Sequence, residues 1–359
     1  MTNTPADFTD QSRDPREGEQ LDAAKVGDWL KSQVPGLSGD CVIRQFPGGS
    51  SNLTYHVQVG EKDMVLRRPP FGRVAKSAND MLREARILTR LKPVFHYVPT
   101  VVALCDDDAV MGASFYVMER IRGIIPRKDF PKGMEVTPEL ARQMCESLLD
   151  VLIELHSIDF ASAGLGDLGK PEGYVRRQVE GWSKRYIDAL TPDAPDCTDI
   201  IQWLHDKQPG EVKHCIVHND YRFDNVVLDA GEPRKIIGVL DWEMSTLGDP
   251  LMELGTMLCT WTEATDPPVA LMSRQQPTTM PGMMTRAEMT DYYCRKMNLS
   301  VEKYDFYRVY GLFRMAGIIQ QIYYRFYHGQ TKDQRFAMMV HFVKFLADGC
   351  REQIRNSNL

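Results

Sequence analysis

The residues best suited to chemistry lie between Ile216 and Asp249. The pattern His218-x-Asp220-x4-Asn225 comes first, and a second acid, Asp241, closes an apolar run that ends at Leu240. Val226–Asp229 and Lys235–Leu240 predict two short strands joined by Ala-Gly-Glu-Pro, a turn composition. In such a hairpin Asn225 enters the first strand and Asp241 leaves the second, so both arrive at the same open end. Asp220 lies just upstream, in the loop feeding that end. The geometry sets two oxygen ligands suited to a hard cation beside one carboxylate free to meet a substrate hydroxyl.

This is the order of the catalytic loop and metal ligands in protein-kinase-like phosphotransferases. The chain most resembles the aminoglycoside-phosphotransferase-like family, and within it the branch also found fused to acyl-CoA dehydrogenases. Leu240-Asp-Trp-Glu-Met-Ser-Thr-Leu-Gly-Asp-Pro250 is the phrase most specific to that branch. The resemblance covers nearly the whole chain after residue 20. It implies an α+β fold, protein-kinase-like and bilobal, with a small antiparallel-sheet N-lobe and a mostly helical C-lobe. The expected division is a mobile arm at 1–19, the N-lobe at 20–118, a hinge at 119–123 and the C-lobe at 124–359. ATP and Mg²⁺ are the implied cofactors. Asp220 would take the acceptor's proton with His218 bracing the catalytic loop beside it, and Asn225 and Asp241 would hold the metal. Glu243 is expected as an extra metal ligand or as a tie to nearby backbone. Relatives mostly carry glycine where this chain has Asn219.

The N-lobe elements must bring phosphate-binding groups to that end. A short amphipathic helix from Leu21 to Val34 precedes three strands, Cys41–Phe46, Leu53–Val59 and Asp63–Arg68. The turn Pro47–Asn52 is rich in glycine and hydroxyls, so backbone N–H groups there can approach phosphate closely. In the family this turn covers the nucleotide phosphates, which makes Gly49, Ser50 and Ser51 candidates. Alternation along Met64–Arg68 puts Val65 and Arg67 on one face and Leu66 on the other. Kinase-like enzymes place a phosphate-holding lysine where Arg67 stands; Arg68 is the alternative if the register shifts by one. Ser77 is expected to cap a helix running to Leu91. Glu84 falls on its apolar stripe, three residues after Met81 and four before Leu88, so it needs a partner. The resemblance supplies Arg67. Strands at Pro99–Leu104 and Ser114–Met118 flank the acidic turn Asp106–Asp108. In the family, backbone groups of the following hinge, here Glu119 to Ile121, bind adenine.

The C-lobe begins with a helix from Thr137, the N-cap, to about His156. Gly173–Arg185 resembles a segment typical of the branch. Asp249 has N-cap chemistry for a helix over Leu251–Cys259, and the resemblance gives it the further task of holding the catalytic-loop backbone. Residues 262–285 lack periodicity and are read as a lid over the acceptor or as a long mobile loop. Two long helices, Val301–His328 and Asp333–Arg355, close the chain. Arg314 and Arg325 on the first match an arginine pattern of the branch and would meet an anionic acceptor.

At 359 residues and a net charge of −6, the composition is that of an ordinary globular protein and argues against a general nucleic-acid binder. Eight cysteines without zinc-like spacing fit free thiols in a reducing cytoplasm. No signal peptide, membrane span, Walker A sequence or dinucleotide fingerprint is visible. The expected partner is a small-molecule hydroxyl acceptor, with a hydroxyacyl or hydroxycarboxylate metabolite suggested by the resemblance. The competing readings are a nucleotide-binding module without turnover, a protein kinase and an aminoglycoside O-phosphotransferase. A protein kinase would need an activation segment ending in Ala-Pro-Glu, which does not follow Asp241. An aminoglycoside enzyme would need a strongly acidic acceptor pocket, which the mixed charges of the last helices do not suggest.

Overall fold

The computed structural model describes residues 8–47, 52–71 and 80–359. Helix α1 (Ala23–Gln33) leads into β1 (Cys41–Gln45), β2 (Leu53–Val59) and β3 (Lys62–Arg68). Helix α2 (Met81–Leu91), β4 (Val101–Cys105), the short α3 (Asp108–Met111) and β5 (Phe115–Glu119) follow. The five strands form one antiparallel sheet in the order β1-β2-β3-β5-β4. Period-two alternation gives the sheet two apolar faces. Leu53, Tyr55, Met64, Leu66 and Val117 pack with Val26 and Leu30 of α1. Val65, Tyr116 and Met118 share the other core with Met81, Ala85 and Leu88 of α2. Each such fully buried apolar side chain is worth roughly 1.5–3 kcal/mol relative to exposure. The alternation therefore decides that Arg67 faces α2 and Leu66 does not.

Ser77 and the turn residues Gly49, Ser50 and Ser51 lie outside the described residues. The described α2 starts at Met81, with Asp80 as N-cap accepting from Arg83 N–H. Residues 8–19, part of the expected mobile arm, make defined contacts. Arg13 forms a two-way backbone bridge with Gln45, Glu19 carbonyl accepts from Tyr55 Oη–H, and Asp10 N–H donates to Gly123 carbonyl. The segment extends the β1 edge and reaches the connection between lobes. That connection is drawn against the C-lobe by an Ile124–Leu228 bridge. At Gly123 an added Cβ would stand 2.3 Å from the Leu228 carbonyl oxygen, so the close approach requires glycine.

The C-lobe comprises α4 (Pro138–Ser157), α5 (Tyr174–Asp188), α6 (Thr198–Asp206), β6 (Cys215–Val217), β7 (Val226–Leu228), β8 (Ile236–Val239) and β9 (Thr246–Gly248). Helices α7 (Pro250–Cys259), α8 (Pro268–Ser273), α9 (Arg286–Met297), α10 (Tyr304–Tyr327) and α11 (Met339–Asn356) complete it. Helix α11 starts later than expected, because Asp333 caps a separate 3-10 turn over Gln334–Met338. Helices α7 and α10 touch backbone to backbone: a Cβ at Gly255 would meet the Tyr307 carbonyl at 2.3 Å, and one at Gly311 the Gly255 carbonyl at 2.3 Å. This contact sets α10 beside the catalytic loop. Residues 262–285 hydrogen-bond to the 218–225 loop and to the end of their own segment. Buried Gln276 accepts from Phe223 N–H at 2.9 Å, and Thr278 donates to the Thr262 carbonyl at 2.7 Å. Among the described residues no helix is long and apolar enough to cross a membrane.

Candidate active site

Two short antiparallel ribbons build the floor of the site. β6 pairs with β9, β7 pairs with β8, and the loop between β6 and β7 carries residues 218–225. Leu240 N–H donates to the Asn225 carbonyl at 2.8 Å, which closes the hairpin mouth and sets Asn225 beside the chain entering Asp241. Asn225 Nδ2 donates to the Asp220 carbonyl (2.8 Å) and to Asp220 Oδ2 (2.9 Å). With its amide N–H groups committed, the side-chain carbonyl of Asn225 is the end able to meet a cation.

His218 is fully buried and lines neither cavity described below. Its Nδ1 accepts from Asp220 N–H at 3.3 Å, so Nε2 carries the proton and donates to the Leu240 carbonyl at 2.9 Å. Its ring packs edge-on against Trp242, centroids 4.8 Å apart. The histidine thus fastens the Asp220 loop to the residue before Asp241 and has no ring nitrogen left for proton transfer. Asn219 takes a left-handed backbone, φ 66°, as does Asp241 at φ 68°. Glycine enters that region freely and asparagine is among the few other residues that do so readily. The asparagine adds side-chain ties, accepting from Tyr174 Oη–H (3.1 Å) and donating to the Met244 carbonyl (3.1 Å).

The backbone at His218 and Asn219 is held by Glu253 and not by Asp249. Asp249 accepts from Leu251, Met252 and Val212 N–H groups, a helix cap and a loop tie. Burial raises its carboxyl above the usual range, and those backbone donors only partly offset it. One turn on, Glu253 accepts from His218 N–H (2.9 Å) and Asn219 N–H (2.6 Å) and pairs with His156 Nε2 at 2.8 Å. Burial works to raise the Glu253 carboxyl, yet the His156 bond and the neighbouring charge and N–H groups outweigh it and hold the carboxyl below the usual range. Its sequence signal was present: it is the one charged residue of α7, and a charge on a buried helix must have partners.

Arg67 is the hub on the N-lobe side. Its Nη1 lies 3.0 Å from Glu84 Oε1, and its Nη2 lies 2.8 Å from Asp241 Oδ1 and 3.9 Å from Glu243 Oε2. Burial pushes the Glu84 carboxyl above its usual range despite Arg67, whereas at Asp241 the arginine outweighs burial and holds the carboxyl below it. Glu84 Oε1 also accepts from Trp242 N–H at 3.2 Å. Arg68 turns the other way, donating from Nε to the Pro69 carbonyl and stacking on Phe71 at 3.8 Å. Glu243 accepts from Asn52 Nδ2 at 2.6 Å, which links the β1–β2 turn to the segment after Asp241. Arg83, not singled out in the sequence, donates to the carbonyls of Glu243 and Ser245 and ties α2 to that segment.

Two cavities flank this constellation. The first, about 290 Å³, opens between the lobes, with Val65, Arg67, Met118, Glu119, Ile121 and Asp241 in its walls. The second, about 320 Å³, lies among the catalytic loop, α5, α7 and α10, with Trp182, Met244, Met257, Arg314, Met315 and Ile318 in its walls. Arg314 donates to the Asn219 carbonyl at 3.2 Å and lies 5.4 Å from the Trp182 ring. Arg325 is exposed and lines neither cavity. Eleven residues along α10 keep it on the Arg314 face but carry it about 16 Å down the axis.

Comparison with known proteins agrees with this architecture. The pattern defining the phosphotransferase enzyme family matches residues 42–288. Acyl-CoA dehydrogenase family member 10 of Mus musculus is 34% identical over 310 residues, covering 85% of this chain but only 29% of that protein. A crystal structure from Ralstonia eutropha, named for the aminoglycoside phosphotransferases, superimposes with a TM-score of 0.79 at 27% identity, covering 95% of this chain and all of that one. A thermostable mutant of an aminoglycoside phosphotransferase, solved with ADP and hygromycin B, shares the fold, with a TM-score of 0.59 at 14% identity over 92% of this chain and 98% of that one. From the sheet order to the helical lobe, and across more than two thirds of its length, the chain belongs to the phosphotransferase enzyme family, with a bilobal kinase-like fold.

Proposed function

We propose that the protein transfers the γ-phosphoryl group of ATP to a hydroxyl of a small molecule. The observation that carries this reading is the meeting of the two cavities at Asp220. A donor in the first and an acceptor in the second would face each other across that carboxylate.

The donor set fits Mg²⁺. Asn225, Asp241 and Glu243 offer hard oxygen ligands of the kind that bind Mg²⁺ with few protein contacts, leaving positions for water and phosphate oxygens. Buried Arg67 Nε lacks a hydrogen-bond partner, which fits a cluster completed by ligand. When bound, the metal neutralises phosphate charge and polarises the group being transferred. Arg67 would hold phosphate oxygens, Glu84 would hold Arg67, and the backbone between Glu119 and Ile121 would border the base. The turn carrying Gly49, Ser50 and Ser51 would cover the phosphates. Asp220, its side chain 40% exposed, would accept the acceptor's hydroxyl proton. His218, Glu253 and Asn219 keep it in place.

The apolar residues and the two arginines of the second cavity, Arg222 and Arg314, favour a hydroxyacyl or hydroxycarboxylate acceptor over a polycationic aminoglycoside, which arginines would repel. A relative named as an acyl-CoA dehydrogenase family member supports the same direction. A cytoplasmic setting goes with this reading, since all eight cysteines carry free thiols. The test is turnover of ATP with a panel of hydroxy acids, their thioesters, sugars and aminoglycosides. Asp220→Asn should lower transfer by roughly 10²–10⁴-fold while leaving ATP binding intact. Equal turnover by the variant would contradict the assigned base.

A further inference from the structure

The segment before the sheet, residues 8–19, reaches the wall of the first cavity through Asp10, which stands there with Gly123 and Arg127. The Asp10 backbone is bonded on both sides. Its N–H donates to the Gly123 carbonyl at 3.3 Å, and its carbonyl accepts from Arg120 Nη2 at 2.7 Å. Further along, Ser12 Oγ lies 3.0 Å from His56 Nδ1, and Arg16 N–H donates to Gln45 Oε1 at 2.9 Å. These ties give the Asp10 side chain a defined place at the rim of the cavity.

The Asp10 carboxylate accepts from Arg127 Nη2 at 3.2 and 3.3 Å, and among the described residues no other side chain or backbone group bonds it. An ionised carboxylate has about four lone-pair sites, so one shared donor leaves acceptor capacity open. A strut that merely pins the segment would be a weak use of this pair. The two side chains are 21% and 45% exposed, an ion pair so open to water adds little stability, and the backbone bonds already dock the segment. Position along the cavity decides what the open oxygens can meet. The base would border Glu119 to Ile121, just before Gly123, and the phosphates would lie with Arg67, Asn225 and Asp241. The ribose joins the two and must stand between them. Arg127 spans that interval, since it pairs with Asp10 and also acts on Asp224, the residue before Asn225. Burial raises the Asp224 carboxyl above its usual range, and Arg222 and, more weakly, Arg127 act against that rise.

We propose that Asp10 is a specificity-determining residue of the donor site: its carboxylate, steadied by Arg127, accepts hydrogen bonds from the ribose hydroxyls of the nucleotide. This rests on the phosphotransferase reading and makes the segment before the sheet a part of the donor site. A carboxylate suits a vicinal diol, because its oxygens can take the O–H groups in charge-assisted bonds. Acidic side chains serve the ribose 2′-hydroxyl in the same way in dinucleotide-binding folds. Here the acid comes from the N-terminal side of the sheet and is carried to the cavity by the contacts of Ser12, Arg13 and Arg16 along the β1 edge.

The experiment is calorimetric binding of ATP, 2′-deoxy-ATP and 3′-deoxy-ATP, each with Mg²⁺, to the full chain as wild type, Asp10→Ala and Asp10→Asn, with thermal melting to check folding. Wild type should bind ATP about tenfold more tightly than at least one of the deoxy analogues. Asp10→Ala should bind ATP as weakly as that analogue while holding the analogue itself within about twofold of wild type, so that the preference disappears. Asp10→Asn, whose amide oxygen still accepts, should keep part of it. Equal affinity of wild type for all three nucleotides would overturn the assignment, as would the same preference in wild type and Asp10→Ala. Weakening of all three nucleotides by one factor in Asp10→Ala would also overturn it, making Asp10 a strut of the docked segment. Wild type that binds none of the three would instead overturn the phosphotransferase reading itself.

Discussion

Glu253 and Glu84 are each 1% exposed, and each stands behind one half of the site, but their surroundings differ. Both oxygens of Glu253 are engaged, by His156 and by the His218 and Asn219 N–H groups. Glu84 uses one oxygen for Arg67 and Trp242 N–H, and the Tyr116 hydroxyl bonds its carboxylate. Its partner is also shared, because Arg67 reaches across to Asp241 in the cavity wall. A closed cluster suits a fixed geometry, since every alternative arrangement loses a charge-assisted bond. An open one suits exchange, because Arg67 can pass from Asp241 to a phosphate without leaving Glu84. Under the proposed function, the C-lobe cluster would hold Asp220 in place and the N-lobe cluster would respond to phosphate.

The largest effect is expected at the closed cluster. Glu253→Gln should cost about 3–5 kcal/mol of unfolding free energy, because a neutral amide leaves His156 and two backbone donors poorly matched. Urea unfolding at neutral pH measures this, and a loss under about 1 kcal/mol would show that the cluster is not a structural keystone. The same variant tests the pH dependence. The Glu253 carboxyl is held below its ordinary value in the folded state, so its contribution is fully present above that ordinary value. It is lost as pH falls through the lower folded value. The stability gap between wild type and Glu253→Gln should therefore narrow on acidification through that window; a gap constant with pH would refute the linkage.

Next comes the open cluster. Arg67→Lys keeps the charge but cannot bridge Glu84 and Asp241 with a planar fork, so ATP affinity should fall by about 1–2 kcal/mol while the melting temperature moves little. A large melting shift with unchanged affinity would reverse the roles assigned to the two clusters. The smallest effect belongs to Asn219→Gly. Glycine accepts the left-handed backbone, so only the ties to Tyr174 and Met244 are lost, at roughly 1 kcal/mol. Asn219→Ala should cost more, since it adds backbone strain to the same losses.

What the chain discloses in advance follows from the range of each interaction. The faces of Arg67 and Glu84 were legible because strand alternation and the helical i, i+3, i−4 pattern each project one residue onto a buried face, whereas their pairing came from the resemblance. Asp249 was legible as a cap because capping is local. Its supposed hold on the catalytic loop was not, because that contact joins segments about thirty-five residues apart, and Glu253, a turn further on, lies nearer the loop. Helix α9 carries a readable Thr285–Glu288 capping box, yet its weak apolar stripe hid it. The docking of residues 8–19 depends on Arg13 meeting Gln45 at a sheet edge, and no periodicity announces such a bridge. Arg325 came from the resemblance alone, and the structure puts it outside both cavities.

The most direct test is calorimetric titration of ATP, with and without Mg²⁺, into wild type and Asp241→Asn. The account predicts binding to wild type that strengthens with Mg²⁺, and a variant that binds ATP with little response to the metal. Absence of ATP binding by wild type, or an equal metal response in both proteins, would contradict it.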